Sequence, residues 1–261
     1  HLSVVEWLHA YRSEGCTTSA IDGAARNGRL PVVEWLHTNR TEGCTTRAMD
    51  MAAKNGHLAV VEWLHTNRTE GCTTEAIDRA ACNNHLSVVE WLHTNRTEGC
   101  TTDAMDQAAH SGHLRVLEWL HTNRAEGCTV RAMDWAASSG YLPVVEWLHA
   151  NYSTPDSTRC SHLAMDRAAQ HGHLDVAEWL HANSLARCTM NALTGAAKNG
   201  FLGVLEWLCA NQLPDSQRVE TALDVKQGIN TVMQAALDNC QLSVFTWLFS
   251  QSKKSIIDHY L

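Results

Sequence analysis

The sequence is poor in charge, and the charge it has is not basic. Charged residues make up 18% of 261 positions, and 28 Asp and Glu outweigh 20 Lys and Arg, for a formal net charge of −8. That balance gives no general attraction to phosphate backbones or anionic lipid. No run of about 18 uninterrupted apolar residues occurs, so no membrane-spanning helix is expected. No Cys-x-x-Cys pair offers a zinc site, and no Gly-rich phosphate loop, nucleophile elbow or His-Glu-x-x-His stands anywhere in the chain. What is present is 44% hydrophobic, enough for a folded chain with an ample core. The first residue is His1, and "HLSVVEWLHA" opens on the second half of a motif that recurs below. A longer protein is therefore expected around this stretch.

The recurrence is close to literal. "WLHTNRTEGCTT" occupies 35–46, 63–74 and 91–102 without a change. Trp7, Trp35, Trp63, Trp91, Trp119 and Trp147 are 28 residues apart, followed by Trp179 after 32, Trp207 after 28 and Trp247 after 40. A fixed period of this length marks a stacked array of small units. The boundaries it sets are a half-repeat over 1–16, repeats over 17–44, 45–72, 73–100, 101–128, 129–160, 161–188 and 189–216, a degenerate copy over 217–252 and a tail over 253–261. Extra residues fall in 151–160, where Pro and Ser mark a longer loop, and between 213 and 228.

One unit reads "TTRAMDMAAKNGHLAVVEWLHTNRTEGC" over 45–72. Thr45 and Thr46 are N-cap residues, and Ala48, Met49, Ala52 and Ala53 follow at helical spacing. Gly56 then supplies the left-handed position that stops a helix, a role Asn84 takes in one copy. From Leu58 to Arg68, residues Leu58, Val60, Val61, Trp63 and Leu64 cover about 200° of a helical wheel, so burial against neighbours on two sides is expected. A fully buried Trp in every copy would contribute on the order of 4–6 kcal/mol gross. Each unit is two short helices that cannot bury their apolar surface alone. The fold expected is all-α, an α-solenoid of stacked helix-turn-helix repeats.

"AMDMAAKNGHLAVVEWL" (48–64) resembles an ankyrin repeat, in which a short helix with paired Ala is followed by a Gly-His-Leu turn and a second helix. The same pattern recurs at 20–36, 76–92, 104–120, 132–148, 164–180 and 192–208. The departures are a period of 28 instead of the usual 33, and Arg47-Ala48-Met49-Asp50 where Thr-Pro-Leu-His is common. The chain thus resembles a short, Trp-rich variant of that repeat, whose missing residues come most simply from the finger that joins units. The resemblance implies protein–protein scaffolding without catalysis, and it places the first helices on an inner, concave surface.

Other groupings can be weighed as chemistry. "EWLH" sets Glu62 and His65 at the Glu-x-x-His spacing of di-iron bundles, but a metal site needs converging carboxylates from four helices. A surface Glu and a part-buried His bonding to backbone is the expected arrangement, with no metal and no cofactor. Cys16, Cys44, Cys72, Cys100, Cys128, Cys160 and Cys188 also form a ladder. Equivalent atoms one repeat apart lie too far from each other for disulfides, so apolar plugs before each first helix are expected. Reduced thiols in this number fit a cytoplasmic, intracellular protein. Asn39, Asn67, Asn95 and Asn151 head Asn-x-Thr/Ser sequons, which recur because the repeat recurs.

The letters that change are in the first helix. They are spaced i, i+4, i+7 and form one stripe opposite the Ala/Met face. As partner-binding candidates they are Arg47, Met51 and Lys54; Glu75 and Arg79; Asp103, Gln107 and His110; Arg131 and Trp135; Arg167 and Gln170; and Lys198. Over all copies the stripe carries seven Lys/Arg against Glu75 and Asp103. Trp135, outside the Trp ladder, is expected to be exposed, as hot-spot aromatics are. Asp22, Asp50, Asp78, Asp106, Asp134 and Asp166 flank the stripe, either offsetting its charge or bonding to Thr and backbone N–H groups at helix starts. The function expected is recognition of a protein partner, with an acidic surface as the chemical lean. Helical repeats that read nucleic acid are the alternative class, which the net charge disfavours. A metal-dependent enzyme built on the Glu-x-x-His ladder ranks third.

Overall fold

The structure is a computed structural model that describes residues 2–12, 15–152, 161–183, 185, 188–211 and 222–258. Every element among these residues is a helix, and the chain divides into two compact units, His1–Cys128 and Thr129–Leu261. The first contains α1 (Leu2–Tyr11), α2 (Ser19–Arg26), α3 (Leu30–Asn39), α4 (Thr46–Lys54), α5 (Leu58–Asn67), α6 (Glu75–Cys82), α7 (Leu86–Asn95), α8 (Thr102–His110) and α9 (Leu114–Asn123). The second contains α10 (Val130–Ser138), α11 (Leu142–Tyr152), α12 (His162–Gln170), α13 (Leu174–Ala182), α14 (Met190–Asn199), α15 (Leu202–Asn211), α16 (Ala222–Asp238) and α17 (Leu242–Asp258).

Local chemistry sets the ends of each first helix. The hydroxyl of Thr45 accepts from Arg47 N at 3.2 Å and caps α4. At the other end Gly56 sits at φ 74°, Gly56 N donates to Ala53 O at 3.1 Å and His57 N donates to Ala52 O at 2.9 Å. These paired bonds form a Schellman stop. Asn84 takes the same left-handed position at φ 62°. Second helices close differently. The side-chain amide of Asn67 donates to Trp63 O at 2.9 Å, and Asn39, Asn95, Asn151, Asn183 and Asn211 do the same in their copies. Asn123 makes this bond at 2.8 Å outside any sequon, so the cap accounts for the recurring Asn.

In the first unit α2, α4, α6 and α8 pack side by side, and each leans on the second helix of its own copy. The second helices touch one another far less. The Ala pairs explain the close side. Ala48, Ala52 and Ala53 are buried, as are Ala76, Ala80 and Ala81, and so small a side chain lets helix axes approach. Val60, Val61 and Leu64 fill the space behind, each worth about 1.5–3 kcal/mol of burial. In the second unit α10, α12, α14 and α16 stack in the same way. The final pair is longer than the period predicts. Residues 222–228, expected as inserted loop, begin helix α16, and α16 and α17 each run 17 residues. The insertion at 151–160 lies outside the described residues from 153 onward.

The tryptophans correct one expectation. Those in the ladder from Trp35 onward are half-buried, not enclosed, and Trp7 is 56% exposed. The 4–6 kcal/mol ascribed to full burial is therefore too high, and Val, Leu, Met and Ala carry most of the core.

Candidate partner-binding surface

The recurring letters are consumed by contacts between adjacent copies. Asp50 is 4% exposed, and its carboxylate accepts from Thr73 N at 2.8 Å and from Thr73 Oγ1 at 3.0 Å. Thr73 Oγ1 in turn accepts from Glu75 N at 3.2 Å, so one Asp fixes the cap of the next copy's first helix. The same clamp joins Asp22 to Thr45, Asp78 to Thr101, Asp134 to Ser161 and Asp166 to Thr189. Burial pushes the carboxyls of Asp50 and Asp78 above the usual range, against the pull of the Thr donors. Of the two roles open to the Asp ladder, the bond to helix starts is the one found.

A second lock lies along the second helices. His37 meets Trp63 of the next copy edge-on, with centroids 5.2 Å apart, and His65 meets Trp91 in the same way. Arg68 Nη1 donates to His37 Nδ1 at 3.3 Å, which assigns that ring's proton to Nε2 because a guanidinium only donates. Arg68 also pairs with Glu70, and Cys44 N of the preceding copy donates to Glu70 Oε1 at 3.4 Å. The Arg68 contact holds the Glu70 carboxyl down to about 2. Thus His37 and His65 bond to arginine and pack on indole, where a backbone partner was expected. Glu62 is exposed beside them. No cluster of three or more His, Cys, Asp or Glu able to hold a metal exists among the described residues.

Glycine completes the lock. A Cβ on Gly56 would lie 2.5 Å from His85 Nδ1, and one on Gly43 would lie 2.6 Å from Arg68 Nη2. A Cβ at either position would displace the neighbouring side chain, in addition to the cost of positive φ, although Asn84 shows that the helix-stop position also accepts asparagine. The thiols fit the plug reading. Cys44, Cys72, Cys100 and Cys128 are buried and carry no disulfide, and burial pushes the first three up to about 11, 12 and 11. Cys16 and Cys188 are half-buried, and Cys160 lies outside the described residues.

The stripe is what the lock leaves over. In the first unit Arg47, Glu75 and His110 are exposed, while Met51, Lys54, Arg79, Asp103 and Gln107 are half-buried between successive first helices. Arg79 pairs with Glu75 four residues away, so part of the charge there is neutralised internally. In the second unit Arg131, Gln170 and Lys198 are exposed, and Trp135 and Arg167 are half-buried. Trp135 corrects an expectation: it is half-buried like the ladder indoles, with the Arg131 guanidinium 5.8 Å from its ring centroid. The periodicity could not show that i, i+4 contact as a cover. It also gave no sign of the Asn cap on the second helices, although the i−4 spacing from Trp was there to see.

Stacked pairs of short antiparallel helices, capped by Thr and stopped by left-handed Gly, define a helical-repeat solenoid. The comparisons give the family. Models of ankyrin repeats in three copies match residues 21–106, and models of ankyrin repeats in many copies match 105–149, 133–181 and 165–208. The chain belongs to the ankyrin repeat family, whose members are typically non-catalytic protein-interaction modules. Among curated proteins none matches the chain. No helix of the described residues is long and apolar enough to cross a membrane.

Proposed function

We propose that the chain is a non-catalytic adaptor that recognises a protein partner through the stripe of its first helices. One observation carries the reading. Asp, Thr, His, Trp, Arg, Glu and Gly at the recurring positions are each committed to the adjacent copy, whereas the positions that differ between copies are exposed or half-buried on one side. A surface built on a rigid, repeated scaffold and varied copy by copy can be specific without disturbing the stack. The buried Asp ladder adds weight to an acidic partner, because those carboxylates are hydrogen-bonded inside and do not line the stripe. Buried cysteines that form no disulfide among the described residues suit a reducing, intracellular compartment.

The test is a pull-down comparing the intact chain with Arg47→Glu/Arg79→Glu and with Arg131→Glu/Trp135→Ala, after circular dichroism shows equal helicity. Loss of the same protein partners from one or both variants is the expected result. Identical partner sets from all three would refute recognition by the stripe. Retention on heparin at physiological salt, lost in the variants, would favour nucleic acid instead.

A further inference from the structure

The second unit's stripe differs from the first unit's in two independent ways. The first is charge. On α10, α12 and α14 the acidic residues are Asp134 and Asp166, both 4% exposed and both committed to the next copy's cap. Arg131, Arg167 and Lys198 therefore share their side of these helices with no surface carboxylate, and among the described residues none of the three forms an ion pair. In the first unit, by contrast, Glu75 and Asp103 lie on the stripe and Glu75 answers Arg79.

The second difference is polarity at the helix starts. The residue that follows the cap is Thr46, Thr74 and Thr102 in the first unit, but Val130, His162 and Met190 in the second. Val130 is 49% exposed and Met190 45% exposed, one on each side of α12 along the stack. Leu163, half-buried, opens the stripe on α12 between them. Gly195 keeps the floor close. A Cβ there would lie 2.9 Å from Gln170 Cβ, so α14 can settle against α12 and the Gln170 stem crosses the gap. Apolar side chains left in water at the mouth of a cationic stripe gain from a partner that covers them.

We infer that this surface takes an extended acidic segment of another protein, whose aliphatic or aromatic side chains cover Val130, Leu163 and Met190 in turn along the stack. Its carboxylates face Arg131, Arg167 and Lys198. The inference deepens the proposed stripe recognition and rests on it. Three stacked helices about 10 Å apart span about 20 Å, which an extended chain at about 3.3 Å per residue crosses in roughly six residues. Apolar contact supplies the anchor. The cations, partly desolvated beneath the bound segment, discriminate against neutral and basic sequences.

The experiment is selection of a random peptide library of about twelve residues on the whole chain, followed by binding measurements on the winners. The expected winners place Asp or Glu around Leu, Met or Phe, and Met190→Asp, Val130→Asp and Arg167→Glu each weaken them at least about tenfold. Arg115→Glu, at an exposed cation on α9 away from the first helices, leaves them unchanged. An absence of winners, or winners without acidic enrichment, overturns the inference. So does equal displacement by polyuridylate at matched charge, which would reveal a simple polyanion surface. Winners that lose affinity on Arg47→Glu but not on Met190→Asp also overturn it, while leaving stripe recognition as such intact. The two aspartate variants guard against one of them failing to fold.

Discussion

Removing one carboxylate of the buried Asp ladder should loosen the stack at a single joint. Asp78 accepts from Thr101 N at 2.9 Å and from Thr101 Oγ1 at 2.8 Å, and it is 5% exposed. Bonds to a charged acceptor contribute about 1.5–3 kcal/mol each. Burial of the carboxylate takes part of that back, as its raised pKa indicates. Asp78→Ala should therefore cost about 2–4 kcal/mol, with Thr101 N–H left short of an acceptor. Asp78→Asn should cost less, about 1–2 kcal/mol. Its Oδ1 still accepts from Thr101 N, and its amide can donate to Thr101 Oγ1, which already accepts from Asp103 N at 3.1 Å. Thr101→Val loses the Oγ1 bond and the cap but keeps the backbone N–H bond to Asp78, so the double-mutant cycle with Asp78→Ala should show coupling of about 1–2 kcal/mol from the hydroxyl alone. Urea unfolding followed by circular dichroism gives the stabilities, and amide exchange at Thr101 locates the effect. Unchanged exchange at Thr101 in Asp78→Ala, with stability within about 0.5 kcal/mol of the parent, would refute the clamp.

Two further perturbations follow from the second lock. Gly56→Ala should destabilise by about 1–3 kcal/mol, since alanine must adopt φ 74° and its Cβ meets the His85 ring. His85→Ala should recover part of that loss in the double variant; strict additivity in a thermal melt would show that the ring is not the obstacle. The pH response has a defined sign. Glu42 and Glu70 are held from an ordinary 4.5 down to about 2 by Arg40 and Arg68, so their contribution is present above about 4.5 and lost as pH falls toward 2. Asp50 and Asp78, raised by burial, act oppositely: their contribution is fully present below the ordinary carboxylate value and is lost as pH rises through their higher folded value. Glu70→Gln should therefore flatten the acid limb of stability, and urea midpoints that fall in parallel for parent and variant between pH 4.5 and 2 would contradict the assignment.

The interlocking contacts explain why twelve letters recur so faithfully. A change at Trp63 alters its meeting with His37, and a change at Arg68 alters its bonds to both His37 and Glu70. The recurring Trp, His, Arg, Glu and capping Thr each have a partner one copy away, so substitutions there are felt at a joint, not only within a helix. The stripe has little of this coupling and can vary.

Much of this was legible in the sequence, because it depends on spacing. The period of 28, the Thr caps, the left-handed Gly stops and the Ala and Val faces follow from where residues stand along one chain, and so does the placing of the stripe opposite the Ala/Met face. Partners 23, 26 or 31 residues away are a different matter. That Asp50 reaches Thr73, that His37 takes Arg68 instead of a backbone group, and that the indoles stay half-open depend on how one copy is offset against the next. No periodicity along the chain encodes that offset. It is set by the packing of Ala against Ala between helices and by the length of the turn that joins them. The cover that Arg131 lays over Trp135 was open to the spacing, but only a rotamer could decide it.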